Sequence, residues 1–171
     1  MLAIDGNAWT EDVWGWAKGH PSSRVIMVRG ANTEHAPLLQ RVRKEHDSNG
    51  VLLKYSRRFY NFGTSIMKMA LYRNLRKEDP LERGYHGFPR GLDDEFYRML
   101  TAETRKGIKD KKTGFVAYRW VKDPKQANEG LDTNLQADAA AIRLGIRNLP
   151  DAMWDELELE PIGRASSRER V

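Results

Sequence analysis

Cysteine is absent from all 171 residues, which excludes disulfides and thiolate-built zinc sites and suits a reducing compartment. The four histidines (His20, His35, His46 and His86) show no metal-ligand spacing. No apolar run approaches the roughly 20 residues that a membrane span requires. The opening run Met1-Leu2-Ala3-Ile4 stops at Asp5, before a signal-peptide core could form. Internal repeats are missing, and so is a G-x-x-x-x-G-K-[ST] phosphate loop, so nucleotide hydrolysis of that type is not on offer. What remains is a chain with 40% hydrophobic residues and five Trp, enough for one folded domain with a proper core. The expected organisation is one domain over residues 1–150 and a partly disordered tail over 151–171.

Charge is informative in its distribution. The chain carries a net +5 with a pI near 9.5, which favours an anionic partner such as nucleic acid. Between Thr104 and Lys125 stand eight bases (Arg105, Lys106, Lys109, Lys111, Lys112, Arg119, Lys122 and Lys125) against Asp110 and Asp123. That surplus exceeds the charge of the whole molecule. A solvated, charged hairpin that touches nothing is the plain alternative to a nucleic-acid contact.

The hydrophobic pattern predicts an α/β chain. Met1–Ile4 reads as a buried strand with Asp5 at its carboxyl end, and Arg24–Arg29 as a second strand stopped by Gly30. Thr10 is a candidate N-cap for the helix between them, which ends at Gly19-His20-Pro21. Strand, helix and strand in thirty residues match a βαβ unit. A short helix is expected at Leu38–Glu45, extended segments at Val51–Tyr55 and Arg58–Gly63, and an amphipathic helix after Thr64 or Ser65. A short strand at Tyr85–Phe88 and a helix from Asp93 to near Glu103 follow. Lys111-Lys112-Thr113-Gly114 marks a hairpin turn, and an Ala-rich helix runs from Asn128 to about Leu144. Trp9, Trp14 and Trp16 read as core or packing anchors. Glu103 could face the site, though an acid at a helix end reads first as structural.

Two places carry candidate chemistry. Strand ends in open α/β sheets gather ligands, which singles out Asp5, although a strand-end Asp is often only a turn residue. Glu129 and Asp132 lie at i and i+3 and share a helix face. Acids at a helix start are also ordinary partners of the helix dipole, worth about 0.3–1 kcal/mol.

The segments LAIDGNAWTEDV, RVIMVRG, NFGTSIMKMALYRNL, GYHGFPRGLDDEFYRMLTAE and YRWVKDPKQANEGLD occur in that order over residues 2–145. In them the chain resembles the C-terminal nuclease domain of phage terminase large subunits of the lambda-type GpA family. The resemblance implies an RNase H-like mixed central sheet flanked by helices, with a basic β-hairpin. It implies a metal-dependent endonuclease that cuts concatemeric double-stranded DNA with two Mg²⁺ or Mn²⁺ ions in the host bacterial cytoplasm. The partners implied are the small subunit, the portal and an ATPase domain expected to precede the first strand. Asp5, on a central strand, corresponds to the shared metal ligand and Asp132 to the final ligand, with Glu129 one turn earlier able to complete the site. Hard ions of this kind prefer carboxylate oxygen.

At the position of the family's second acid this chain carries Ser65, in Gly63-Thr64-Ser65-Ile66-Met67-Lys68. A hydroxyl is a poor ligand for Mg²⁺, so a second reading stays open: a catalytically degenerate module that binds DNA or packaging partners without cutting. Lys68 is a candidate phosphate contact, as are Lys106, Lys109, Lys111 and Lys112 of the hairpin.

Overall fold

The structure is a computed structural model. It describes residues 1–159 except Asn32 and Lys44. Its framework is a four-stranded sheet formed by β1 (Leu2–Asp5), β2 (Val25–Ala31), β3 (Leu39–Arg41) and β4 (Phe59–Gly63), in the order β1-β2-β4-β3. β1, β2 and β4 are mutually parallel and β3 is antiparallel to β4. The chain is therefore α/β with a mixed sheet, as expected. The carboxyl ends of the three parallel strands share one edge, where Asp5 pairs with Val28 and Ala31 with Gly63.

β2 explains why its sequence reads as an unbroken apolar run. Ile26 and Val28 face one core with Phe62, Met67, Leu131 and Leu135. Val25 and Met27 face a second core with Ala17 and Phe59. A strand buried on both faces cannot alternate with polar residues. Helix α1 (Thr10–Ala17) follows β1 and covers the second core. Helices α2 (Thr64–Asn74), α3 (Asp94–Leu100) and α4 (Glu129–Arg143) enclose the first. A separate two-stranded hairpin, β5 (Glu103–Lys109) and β6 (Val116–Lys122), links α3 to α4.

Several expectations are corrected. Leu38–Glu45 does not form a helix, because Leu39–Arg41 pairs with β4. Val51–Tyr55 contributes one bridge, Leu52 with His46, before a 3-10 turn at Lys54–Arg58. Tyr85–Phe88 is not a strand; Phe88 instead packs its ring edge-on against Phe96 and Tyr97. Thr10 does not cap α1 as an acceptor. It is the first helical residue, and its hydroxyl donates to the Gly6 carbonyl at 2.7 Å. Trp14 packs against the second core, and Trp16 lies against His20. Trp9 is no anchor: it is 80% exposed and left-handed at φ 54°. β1 lies at a sheet edge, so Asp5 is not on a central strand.

Asp151–Leu159 forms a fifth helix, α5, where no regular element was expected. Residues 160–171, the rest of the expected tail, lie outside the described residues. Among the described residues no helix is long and apolar enough to cross a membrane.

The turn from β4 into α2 has no room for a side chain. A Cβ on Gly63 would sit 2.8 Å from the carbonyl oxygens of both Ala36 and Pro37. Backbone atoms cannot swing aside as a side-chain tip can, so Gly63→Ala is expected to lower stability by ~1–3 kcal/mol in urea denaturation. Because this turn aims the start of α2, the same variant tests how tightly the neighbouring site is held.

Candidate active site

Asp5 ends β1 and stays exposed, with one carboxylate oxygen accepting the Asn7 backbone N–H at 2.9 Å. α4 packs directly against β1. Its N-terminal turns therefore bring Glu129 and Asp132 to the edge where Asp5 emerges. The sequence separation exceeds 120 residues, yet the Asp5 charge acts on Asp132.

The environment of Asp132 defines the site. Although this residue keeps contact with solvent, its pKa is raised. Partial burial is the largest cause; the Lys68 charge opposes it, while the carboxylates of Glu103, Glu129 and Asp5 add to it. Four acids and one lysine thus share a single field. A carboxyl whose pKa is higher in the folded state favours the protonated form there. Its ionisation destabilises the fold above that raised pKa and ceases to matter below the unfolded value. Asp132→Asn is therefore expected to raise the melting temperature at pH 7 and leave it unchanged near pH 3. Thermal melts at both pH values check this.

Behind Asp132 lies a connected polar network. Lys68, on the buried face of α2, donates to Glu103 Oε2 at 2.7 Å. Asn128 Nδ2 donates to both Glu103 Oε1 and Asp132 Oδ2, each at 3.1 Å. The Glu103 backbone N–H reaches the Tyr72 hydroxyl at 3.3 Å. Trp120, from β6, donates its indole N–H to Ser65 Oγ at 3.0 Å, and its ring lies 5.4 Å from that of Tyr72. Ser65, Lys68 and Tyr72 share one face of α2 by helical spacing. All of this hydrogen bonding therefore converges from one side.

A family model described as the terminase large subunit gpA endonuclease domain matches residues 1–154. The chain belongs to the terminase large subunit gpA endonuclease-domain family. No curated protein and no solved structure matches it. Membership supports a nuclease role in DNA packaging. It also places the acids named above inside the matched span.

The expected gpA-type site residues are brought together unevenly. The charges of Asp5 and Glu129 reach Asp132, but the three do not stand close enough together to hold an ion. Ser65 borders them, but its oxygen is engaged by Trp120. Lys68 is only 5% exposed and holds Glu103, so its ammonium is not free to meet a phosphate as a surface lysine would be. Lys106, Lys109, Lys111 and Lys112 are exposed on the hairpin and its turn. Glu103 is the residue that the sequence reading set aside as structural. It starts a strand instead of ending a helix, is buried, and completes the ion pair with Lys68. Its signal in the sequence was Leu100-Thr101-Ala102-Glu103, an acid at the head of a strand that also carries Arg105, Lys106 and Lys109.

Among the described residues no group of three or more His, Cys, Asp or Glu side chains stands close enough to hold a metal ion. The carboxylates instead spend their oxygens on Asn7, Asn128 and Lys68. A groove of about 1200 Å³ lies elsewhere, lined by Arg73, Lys77, Arg83, Asp138 and Arg147. None of Asp5, Lys68, Glu103, Glu129 and Asp132 lines it, so that groove is not part of the acid site. Burial raises the pKa of Asp138 there, against the opposing charges of Arg147 and His86.

Proposed function

We propose that this chain is a metal-dependent endodeoxyribonuclease domain that cuts concatemeric double-stranded DNA for packaging. The observation that carries the reading is the convergence of Asp5, from the first strand, with Asp132, from the last helix of the sheet domain. Two carboxylates so far apart in sequence come within electrostatic reach of each other at the carboxyl edge of a parallel sheet, within a family of endonucleases.

The chemistry of the donors suits a hard divalent ion, Mg²⁺ or Mn²⁺, while the carboxylates as placed form no group of three close enough to hold one. The donor set is all oxygen, and burial together with three neighbouring carboxylates leaves Asp132 short of compensating positive charge. Asp5 and Asp132 would hold such an ion, with Glu129 beside them. When bound, it supplies Lewis-acid polarisation of the phosphate and a more acidic water. Asn128 fixes the Asp132 carboxylate, and Glu103 fixes Asn128. Hydrolysis forms a bond from water oxygen to phosphorus and breaks the bond to the 3′ oxygen, which leaves with a proton. Lys106, Lys109, Lys111 and Lys112 supply backbone contacts, which position a duplex without reading its sequence. Site choice then falls to partners: the small subunit, the portal and the packaging ATPase domain, in the host bacterial cytoplasm. An RNase H-like descent of the sheet, and a two-ion form of the mechanism, belong to the same reading.

Ser65 favours one competing reading, a non-cutting module that keeps the fold and binds DNA. Nicking of supercoiled plasmid decides between them. The nuclease reading expects open-circular product with Mn²⁺ or Mg²⁺ and none with EDTA. An intact plasmid at high protein concentration, with DNA still bound, gives the competing reading the field.

A further inference from the structure

The groove of about 1200 Å³ plays no part in the nuclease reading. Its walls come from separated parts of the chain. Arg73 stands in the last turn of α2, with Arg76 and Lys77 just after it. Arg83 and Tyr85 belong to the loop that follows, Asp138 to α4, and Arg147 and Trp154 to the segment after α4. The loop wall is fastened in place. Lys77 pairs with Glu82 at 2.8 Å and donates to the Arg83 carbonyl, which ties the loop to the end of α2. The Tyr85 backbone N–H reaches the Glu82 carbonyl at 2.8 Å. Between them Gly84 turns at φ 84°, where a Cβ would stand 3.2 Å from the Asn74 amide.

With Lys77 matched to Glu82, the groove keeps Arg73, Arg76, Arg83 and Arg147 against Glu78 and Asp138. The four arginines are exposed, and among the described residues none of them donates a side-chain hydrogen bond or forms a salt bridge. Asp138 offsets part of this surplus, since its charge acts with those of Arg147 and His86. Guanidinium forks suit phosphate oxygens, which they meet in pairs. Tyr85 and Trp154 line the same groove at 39% and 43% exposure, so each leaves ring surface open to a ligand. Cations for phosphates and rings for bases are the two components of a single-strand site. An acidic peptide would use the charges and leave the rings idle. The space also exceeds the roughly 300–1,000 Å³ that encloses one small molecule, which favours a chain-like ligand. We propose that this groove is a second nucleic-acid site, holding a few nucleotides of single-stranded DNA by arginine–phosphate contacts and by stacking on Tyr85 and Trp154. It shares no residue with the acids or the hairpin, and it binds a strand whether or not the acids cut one.

Fluorescence anisotropy of a labelled oligothymidine of about twelve nucleotides, titrated with the whole chain, tests this. EDTA is present throughout, so the result does not depend on cleavage and stands apart from the nuclease reading. A background carrying Lys109→Ala, Lys111→Ala and Lys112→Ala removes the hairpin's contribution and is expected to retain binding. In that background Arg73→Ala with Arg147→Ala should weaken binding about tenfold and flatten its salt dependence. Tyr85→Ala with Trp154→Ala should also weaken it about tenfold but leave the salt dependence as steep, while Tyr85→Phe with Trp154→Phe keeps the rings and the affinity. Polyglutamate should compete poorly. No binding in the hairpin background, or unchanged affinity in the folded arginine variant, overturns the proposal. So does competition by polyglutamate as strong as by unlabelled oligothymidine, which would assign the groove to an acidic peptide. Should the alanine ring variant fail to fold, the arginine variant and the polyglutamate competition still decide.

Discussion

Asp5→Ala and Asp132→Ala are each expected to lower metal-dependent plasmid nicking by about 10³-fold or more, without abolishing the fold. The magnitude follows from what each carboxylate does. A site that stabilises charge on a reacting phosphate loses roughly 10²–10³ in rate when one preorganised partner is removed. Loss of a metal ligand also removes the ion's own contribution. Neither residue belongs to the hydrophobic clusters, and both retain solvent access, so the melting temperature should change little. For Asp132→Ala a small rise is expected at neutral pH, since a carboxylate whose ionised form burial and neighbouring acids disfavour is gone. Nicking rates measured beside thermal melts separate this outcome from simple unfolding. Equal nicking by wild type and both variants would remove these two residues from the chemistry.

Glu103→Ala is expected to do the opposite to stability. Its carboxylate pairs with Lys68 while both side chains are less than 10% exposed. Removing one partner of a buried pair strands the other charge, at about 3–5 kcal/mol. It also frees the Asn128 amide that orients Asp132, so nicking should fall as well. Replacing both partners, as in Lys68→Met with Glu103→Leu, should recover much of the stability, because no charge is then left unpaired. Chemical denaturation of the single and double variants measures this. A Glu103→Ala protein as stable as wild type would show that Lys68 finds water, and that the pair is not sealed.

What the sequence made legible were the elements with strong local signatures. β1 and β2 are uninterrupted apolar runs, the Lys111–Gly114 turn announces its hairpin, and α4 is Ala-rich and ended by Gly145 at φ 76°. Asp5 and Asp132 could be singled out because one ends a strand and the other opens a helix, and because the resemblance aligned them. β3 was not legible. Three residues carry too little pattern, and what makes Leu39–Arg41 extended is β4, some twenty residues later. Tyr85–Phe88 looked extended but has no strand to pair with, and its aromatic rings found α3 instead. Glu103 was set aside for a related reason. Its importance depends on a lysine 35 residues earlier, and that pairing exists only once α2 and β5 are packed.

The hairpin has a mechanical meaning as well. Its two roots are the residues that grip α2: Glu103 at the start of β5 holds Lys68, and Trp120 near the end of β6 holds Ser65. Its far end, around Lys111 and Lys112, projects exposed. Such an arm is a lever with its fulcrum at the acids. On the proposed nuclease reading, a load placed on the tip by a duplex would pass to the Glu103–Lys68 and Trp120–Ser65 contacts, coupling DNA engagement to the carboxylates.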